Sequence, residues 1–419
     1  MVERLKMLMN AQNFLFFVLV FFFISAATLY QDLKLIFFLL VFWGMYLFFS
    51  KTEKVTLNQP VWYLVILFFM MFVTMTLSVV FQGRIEQLFN FRYENFRDLI
   101  FAYFIALVLT RYRFDSDYIF KLVAVVSLYA FVYVLLVIID SPARGHGLLE
   151  TPITRGNMGM LLGVMALIAF FGLHEAKWKA IALVGFVSGI MLSFLSGSRG
   201  GWLTFLIVAF SLWVVSYKFE KKLFWISTII FITFVMLIMA VWDYLPIQSR
   251  IDQTIHNLNL YLDGNPRTSI GYRFEMWKAA WMAFLERPLF GWGFGSFNSI
   301  FAKYAEQGLV VKGMLFGHPH NDYILLLAEK GIFGFVVVLS ILIYPFIKLL
   351  SLLKTSLQSQ NQDKVFLSLM GIVLVESIME FMLSDQTITM KYQLYFYLVF
   401  ILLVFASLFQ PNKIVNKKI

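Results

Sequence analysis

The sequence predicts an all-α integral membrane protein with about twelve transmembrane helices and one large outer loop. Three observations predict it. Of 419 residues, 61% are hydrophobic and 14% charged, where a soluble domain carries about 25% charged residues. Phenylalanine alone occurs 49 times, more apolar surface than one water-soluble core can hide. The apolar residues also gather into a dense series of runs, many near the ~20 residues that cross a bilayer as helix.

Taken in order, strong runs occupy 12–29, 33–50, 61–82, 118–139, 177–197, 200–216, 222–245, 331–350, 365–383 and 391–410. Two weaker runs, 98–110 and 157–173, are short enough to be tilted or partly re-entrant. The first run, from about Phe14, belongs to this series and reads as a span rather than a cleavable leader. Disorder, a coiled coil and a solenoid are excluded. With no cysteine there is no disulfide, thiol nucleophile or thiolate metal site.

One connection, 246–323, holds no span yet is not linker-like. Within it, 272–287 reads YRFEMWKAAWMAFLER, and Phe274, Trp277, Trp281 and Phe284 recur on one helical face before Pro288. The segment predicts an ordered cap on the membrane surface. The chain therefore divides into a nine-helix region (1–245), the loop (246–323) and a three-helix region (324–419), one integrated membrane domain.

Orientation follows from lysine and arginine in short loops. With the N-terminus inside, the inner segments hold eighteen such residues and the outer ones nine, the long loop omitted. Both termini are then cytoplasmic and the long loop is outside. The net charge of +10 is partly this topology signal. It is spread over many short loops, so it is no nucleic-acid footprint. Outside, arginine prevails: Arg84, Arg92, Arg97, Arg144, Arg155, Arg199, Arg250, Arg267, Arg273 and Arg287. Arginine grips phosphate with a planar fork, which points to a phosphorylated ligand; aromatic stacking and loop ion pairs are the plainer alternative.

Three motifs carry candidate chemistry. Ser196-Gly197-Ser198-Arg199-Gly200-Gly201-Trp202 joins two spans at the outer face. Gly200 and Gly201 let backbone approach a ligand, and the helix that starts there offers unpaired amides and a positive dipole end to a diphosphate. A tight turn with a snorkelling arginine is the alternative. Arg273 opens the amphipathic helix, with Glu275 nearby. Gly317-His318-Pro319-His320-Asn321-Asp322 lies where the loop re-enters the membrane. Histidine is suited to proton transfer near neutrality, and Asp322 is placed to orient an imidazole. A helix cap or a metal pair are the other readings of this motif. Two strong spans and the loop separate Arg199 from His320, so both lie on one face. Glu376, Glu380 and Asp385, in or beside one span, suit a proton or ion relay or structural pairing. Gly291-Trp292-Gly293-Phe294-Gly295 lacks a strand–helix frame and is no nucleotide fingerprint, and no Walker lysine is present.

The order Ser198-Arg199-Gly200-Gly201-Trp202, Arg273-Phe274-Glu275-Met276-Trp277, Arg287-Pro288-Leu289-Phe290-Gly291-Trp292-Gly293 and His318-Pro319-His320-Asn321-Asp322-Tyr323 with Gly331-Ile332-Phe333-Gly334 resembles the O-antigen ligase and polymerase superfamily. The resemblance covers about 195–335. It implies a GT-C-like membrane glycosyltransferase of the bacterial inner membrane with its site periplasmic. The donor is a glycan on undecaprenyl diphosphate, and for a lipopolysaccharide O-antigen ligase the acceptor is a sugar hydroxyl of the lipid A core. The reaction inverts the anomeric centre with no metal and no cofactor. Arg199 and Arg273 match the diphosphate-binding arginines and His320 the base. His318 opens the same motif, with Asn321, Asp322, Gly200 and Gly201 in support. Partners are donor, acceptor and membrane lipids, not nucleic acid. The O-antigen polymerase and the protein O-oligosaccharyltransferase share the pattern. A transporter or flippase, the reading from another class, requires paired repeats and broken polar helices that the chain does not show.

Overall fold

The computed structural model describes residues 2–28, 33–50, 55–83, 94–112, 114–140, 152–197, 201–219, 247–314 and 316–409, with isolated positions between. Most of the 222–245 run lies outside them. Fourteen helices of ten or more residues are described: α1 (Val2–Ala27), α2 (Leu33–Phe49), α3 (Gln59–Val80), α4 (Ala102–Arg111), α5 (Ser116–Asp140), α6 (Pro152–Gly172), α7 (Ala176–Ser196), α8 (Trp202–Phe219), α9 (Ile247–Leu262), α10 (Ser269–Glu286), α11 (Phe297–Glu306), α12 (Asp322–Gln358), α13 (Gln362–Phe381) and α14 (Lys391–Leu408). No strand occurs among the described residues.

Seven of these are long and apolar enough to cross a membrane: α3, α6, α7, α12, α14, and the apolar parts of α1 and α5. The chain is thus an all-helical integral membrane protein. α2 and the apolar part of α8 are shorter apolar helices. The two weak runs part company. The 98–110 run becomes a 3-10 turn, Asp98–Phe101, followed by the ten-residue α4. At 1.5 Å per residue such a helix reaches only about half of a ~30 Å core. The 157–173 run becomes the full-length α6, with 78% of its span buried.

The hydropathy of α6 is modest because the helix is built for close packing. Gly159 and Gly163, four residues apart, lie against Gly189 of α7. A Cβ on Gly189 would come within 2.4 Å of the Gly159 carbonyl oxygen. Small residues at this spacing let two membrane helices meet at the backbone. α5 packs on the same pair, and α13 lies along α6. α14 runs through the middle, 83% of its span buried.

α12 is broken at a glycine and carries a proline further along. Gly331 is non-helical inside it, at φ +63°. Pro345 lacks an amide and leaves the Ile341 carbonyl without its helical partner; the Tyr397 hydroxyl donates to that oxygen at 2.8 Å. Inside a bilayer a free carbonyl costs several kcal/mol, so this bond makes the proline tolerable.

At Gly331 the break receives the glycine-rich stretch after Pro288. The Trp292 amide donates to Ala328 at 3.0 Å, Gly293 to Glu329 at 2.9 Å, and Ile332 to Pro288 at 2.8 Å. Gly291 (φ +66°) and Gly331 face each other: a Cβ on Gly331 would meet the Leu289 oxygen at 2.3 Å, and one on Gly291 the Glu329 carbonyl carbon at 2.3 Å. Two distant glycine motifs are therefore halves of one joint. Gly331→Ala is expected to lower the thermal midpoint of the detergent-purified protein far more than Gly295→Ala. Gly295 shares the positive φ but has open space around it, so it carries only a strain cost of about 1–2 kcal/mol. Equal midpoints would remove the joint's claim to structural importance.

α10, α11 and the first turns of α12 enclose a second, smaller core of Met276, Ala279, Ala280, Ala283, Phe297, Ile300, Phe301, Tyr304, Leu325 and Ala328. The aromatic stripe is not the packed side: Trp281 is 48% exposed, and the buried side is Gly271, Glu275, Met276, Ala279, Ala280 and Ala283. Small residues win that face because α12 approaches closely. The rings pair outward instead, Phe274 with Trp277 and Trp281 with Phe284. Glu275 serves the cap: its carboxylate accepts from the Tyr261 hydroxyl at 3.1 Å and the Val311 amide at 2.8 Å.

Candidate active site

The His318–Asp322 turn leads directly into α12. Asn321 caps that helix, its side-chain oxygen accepting from the amides of Tyr323 at 3.0 Å and Ile324 at 3.2 Å. His320 just before it sits at φ +50°, a left-handed conformation that costs a non-glycine residue about 1–2 kcal/mol. The turn is held by His318, whose Nδ1 accepts the His320 amide at 3.2 Å. The two rings meet edge to face, 4.2 Å between centroids. Burial, with His320 alongside, lowers the His318 pKa to about 4 against a partial pull upward from Asp385. His318 is therefore neutral near pH 7, as an accepting Nδ1 requires.

The carboxylate at the His320 ring is Asp385. Its Oδ1 lies 3.3 Å from His320 Nδ1. Asp322, expected to orient an imidazole, does something else. Fully buried, it accepts from the Thr387 amide at 2.6 Å and the Thr389 hydroxyl at 2.6 Å, and its own amide donates to the Met382 carbonyl at 2.8 Å. Asp322 thus anchors the 382–390 loop, and that loop delivers Asp385. Sequence alone names Asp385 only as a membrane carboxylate beside an apolar run. The usable signal is topological, since two spans separate it from His320 and so set both on one face.

Arg273 is half-buried on α10, one turn before Trp277 on the same face. The Trp277 indole donates to the Pro319 carbonyl at 2.9 Å. Arg273 therefore stands one helical turn from the contact that ties α10 to the histidine turn.

Ser198, Arg199 and Gly200 lie outside the described residues. Their flanks do not. Gly197 closes α7 in the left-handed region at φ +65°. Gly201 is buried, and a Cβ there would sit 2.9 Å from Met160 and 3.5 Å from the Phe381 ring. The start of α8 is not the open anion site expected of it. The Leu203 and Thr204 amides and the Thr204 hydroxyl face the Glu380 carboxylate. A carboxyl group of the chain itself already occupies that helix end.

His318, His320 and Asp385 bring ligand-type atoms within 4.8 Å of one another. That spacing also suits a metal ion, but two of the imidazole nitrogens already hydrogen-bond inside the cluster.

Residues 184–339 match the O-antigen ligase family model. In this segment the chain is similar to the O-antigen ligase superfamily. An O-antigen ligase of Escherichia coli K12 is 25% identical over 184 residues, 42% of this chain and 42% of that protein. An uncharacterized protein of Haemophilus influenzae is 27% identical over 230 residues, 54% of this chain and 57% of its own length. The chain thus aligns with about half the length of these relatives. The O-antigen ligase segment takes in the arginine motif, Arg273 and the histidine turn, and ends before Glu380 and Asp385.

Proposed function

We propose that the protein is a glycosyltransferase of the bacterial inner membrane. It transfers O-antigen polysaccharide from undecaprenyl diphosphate to a sugar hydroxyl of the lipid A core, at the periplasmic face, with inversion and without a metal. The observation that carries this reading is the His320–Asp385 contact, on a turn that Trp277 ties to α10 one helical turn from Arg273.

Asp385 accepts the Nδ1 proton of His320, which leaves Nε2 with a free lone pair. Nε2 takes the proton of the acceptor hydroxyl as its oxygen attacks the anomeric carbon. The anomeric carbon–oxygen bond to the diphosphate breaks on the opposite side, and the electron pair leaves with the lipid diphosphate. Arg199 and Arg273 stabilise that growing charge, the task a divalent ion performs elsewhere. The activated donor supplies the energy, so no ATP motif is required. His318 and Asn321 hold the turn, and Gly200 and Gly201 allow close backbone approach. The regions 1–245, 246–323 and 324–419 act as one unit, the loop forming the cap.

Deleting the gene in its own bacterium tests the reaction. Polymer missing from lipid A but retained on the carrier lipid supports ligation. Cores bearing a single repeat point to the polymerase instead, and an unchanged surface polysaccharide overturns both.

The orientation has its own test, made simple by the absence of cysteine. Asn298 and Lys354 are both exposed. A cysteine at Asn298 is expected to react with an impermeant thiol reagent in cells with permeabilised outer membranes, and one at Lys354 only after the inner membrane is opened. The reverse pattern places the site in the cytoplasm and sinks the mechanism.

A further inference from the structure

The loop that delivers Asp385 is pinned by Asp322 at Thr387 and Thr389. The Asp385 carboxylate itself meets one hydrogen-bonding partner among the described residues, the His320 ring at Oδ1. Beside it lies a cavity of about 10 Å³, close to the smallest that holds one water. Three elements line that cavity with polar side chains: Thr154 and Asn157 from the first turns of α6, Asp385, Gln386 and Thr387 from the loop, and Gln393 from the first turn of α14. Gln393 is only 4% exposed, and its Oε1 is buried with no hydrogen-bond donor among the described residues. A buried acceptor without a donor is costly. A water has two protons to give, and here two acceptors share one small cavity, Gln393 Oε1 and the Asp385 carboxylate.

We propose that this cavity binds one water, which donates to Gln393 Oε1 and to the Asp385 carboxylate, and that Gln393 is thereby a positioning residue for the His320–Asp385 pair. The proposal rests on the reading of His320 as the base. Gln393 touches no reacting atom. Through the water it ties Asp385 to α14, whose span is 83% buried. The carboxylate oxygen at Nδ1 then keeps its aim while Nε2 takes the proton.

The experiment uses the purified full chain. A high-resolution map of the parent is expected to show solvent density within hydrogen-bonding reach of both Gln393 and Asp385. Q393M keeps the length of the side chain and removes the acceptor. Its map is expected to lose that density. Its transfer rate at saturating donor is expected to fall about fivefold, the worth of one hydrogen bond, with parent affinity for undecaprenyl diphosphate. The nitrogen NMR signal of His320 Nδ1, assigned by its loss in H320N, is expected to shift toward a mixture of tautomers. Q393N keeps an acceptor and room for the water, and is expected to recover most of the rate. Where Q393M gives no folded protein, T154V removes a hydroxyl from the α6 wall and is expected to move rate and signal the same way by less. A parent map without density there overturns the water. Density lost in Q393M with parent rate and parent His320 signal overturns the positioning role. Probe affinity that falls as far as the rate reduces Gln393 to general stability and overturns it too. A parent rate in H320A removes the base reading and the positioning role with it, and leaves the water site, read from the map, standing.

Discussion

His320→Ala is expected to lower glycan transfer by about 10²–10⁴-fold, the usual worth of a positioned base, while donor binding stays near the parent level. On the proposed mechanism the base meets the acceptor and the arginines meet the diphosphate, so the two parts separate. Asp385→Asn tests the same unit from behind. An amide in place of the carboxylate can donate to Nδ1 and favour the tautomer whose lone pair points away from the acceptor. Its rate is therefore expected to fall with little change in donor affinity. His318→Asn is expected to be milder than His318→Ala, because an amide oxygen can also accept the His320 amide. In vitro transfer by purified variants, beside donor titration, decides the matter. A His320 variant that transfers at the parent rate sinks the base assignment. One that loses donor binding while turning over bound donor normally sinks it equally.

Arg199→Lys and Arg273→Lys keep the charge and lose the fork. Each is expected to cost about 10²–10³ in transfer, the effect of removing one positioned donor to a transition-state anion, at normal protein abundance. A chelator is expected to leave the parent rate unchanged. Activity lost to a chelator and restored by a divalent ion would reassign the His318–His320–Asp385 cluster to metal binding and reject the arginine mechanism. Wild-type rates in both lysine variants would reject it as well.

Much of this architecture is legible in the sequence because a bilayer imposes one strong rule, a long apolar helix for each crossing. The rule fails where packing overrides hydropathy. α6 looks weak because Gly159 and Gly163 serve α7, and 98–110 looks like a weak span because its apolar length is shared with a 3-10 turn. Spacing leaves the packed face of α10 open for a related reason. Aromatic spacing marks a stripe, but not whether the stripe meets a core or the surroundings, and alanines win the tighter contact with α12.

The site divides in the same way. His318, His320, Arg199 and Arg273 stand out because each sits in a compact pattern of glycine, proline or aromatic residues. Asp385 and Glu380 have no such local mark. Asp385 meets His320 across 65 residues, and Glu380 meets Thr204 across 176. Asp322 shows the opposite error. Adjacency in sequence suggested a partner for the imidazole, and the chain instead spends that carboxylate on Thr387 and Thr389.

The Met379–Thr389 segment also sets an order of assembly. Asp385 follows α13, so it leaves the ribosome well after the arginine and histidine motifs. A chain that has inserted only as far as α12 holds His320 in its turn with no carboxylate at Nδ1 and α8 with no Glu380 at its start. Until α13 and the loop after it are in place, His320 and the start of α8 both lack their carboxylate partners. Synthesis that stalls between 345 and 380 leaves the whole segment that matches the O-antigen ligase family without Asp385.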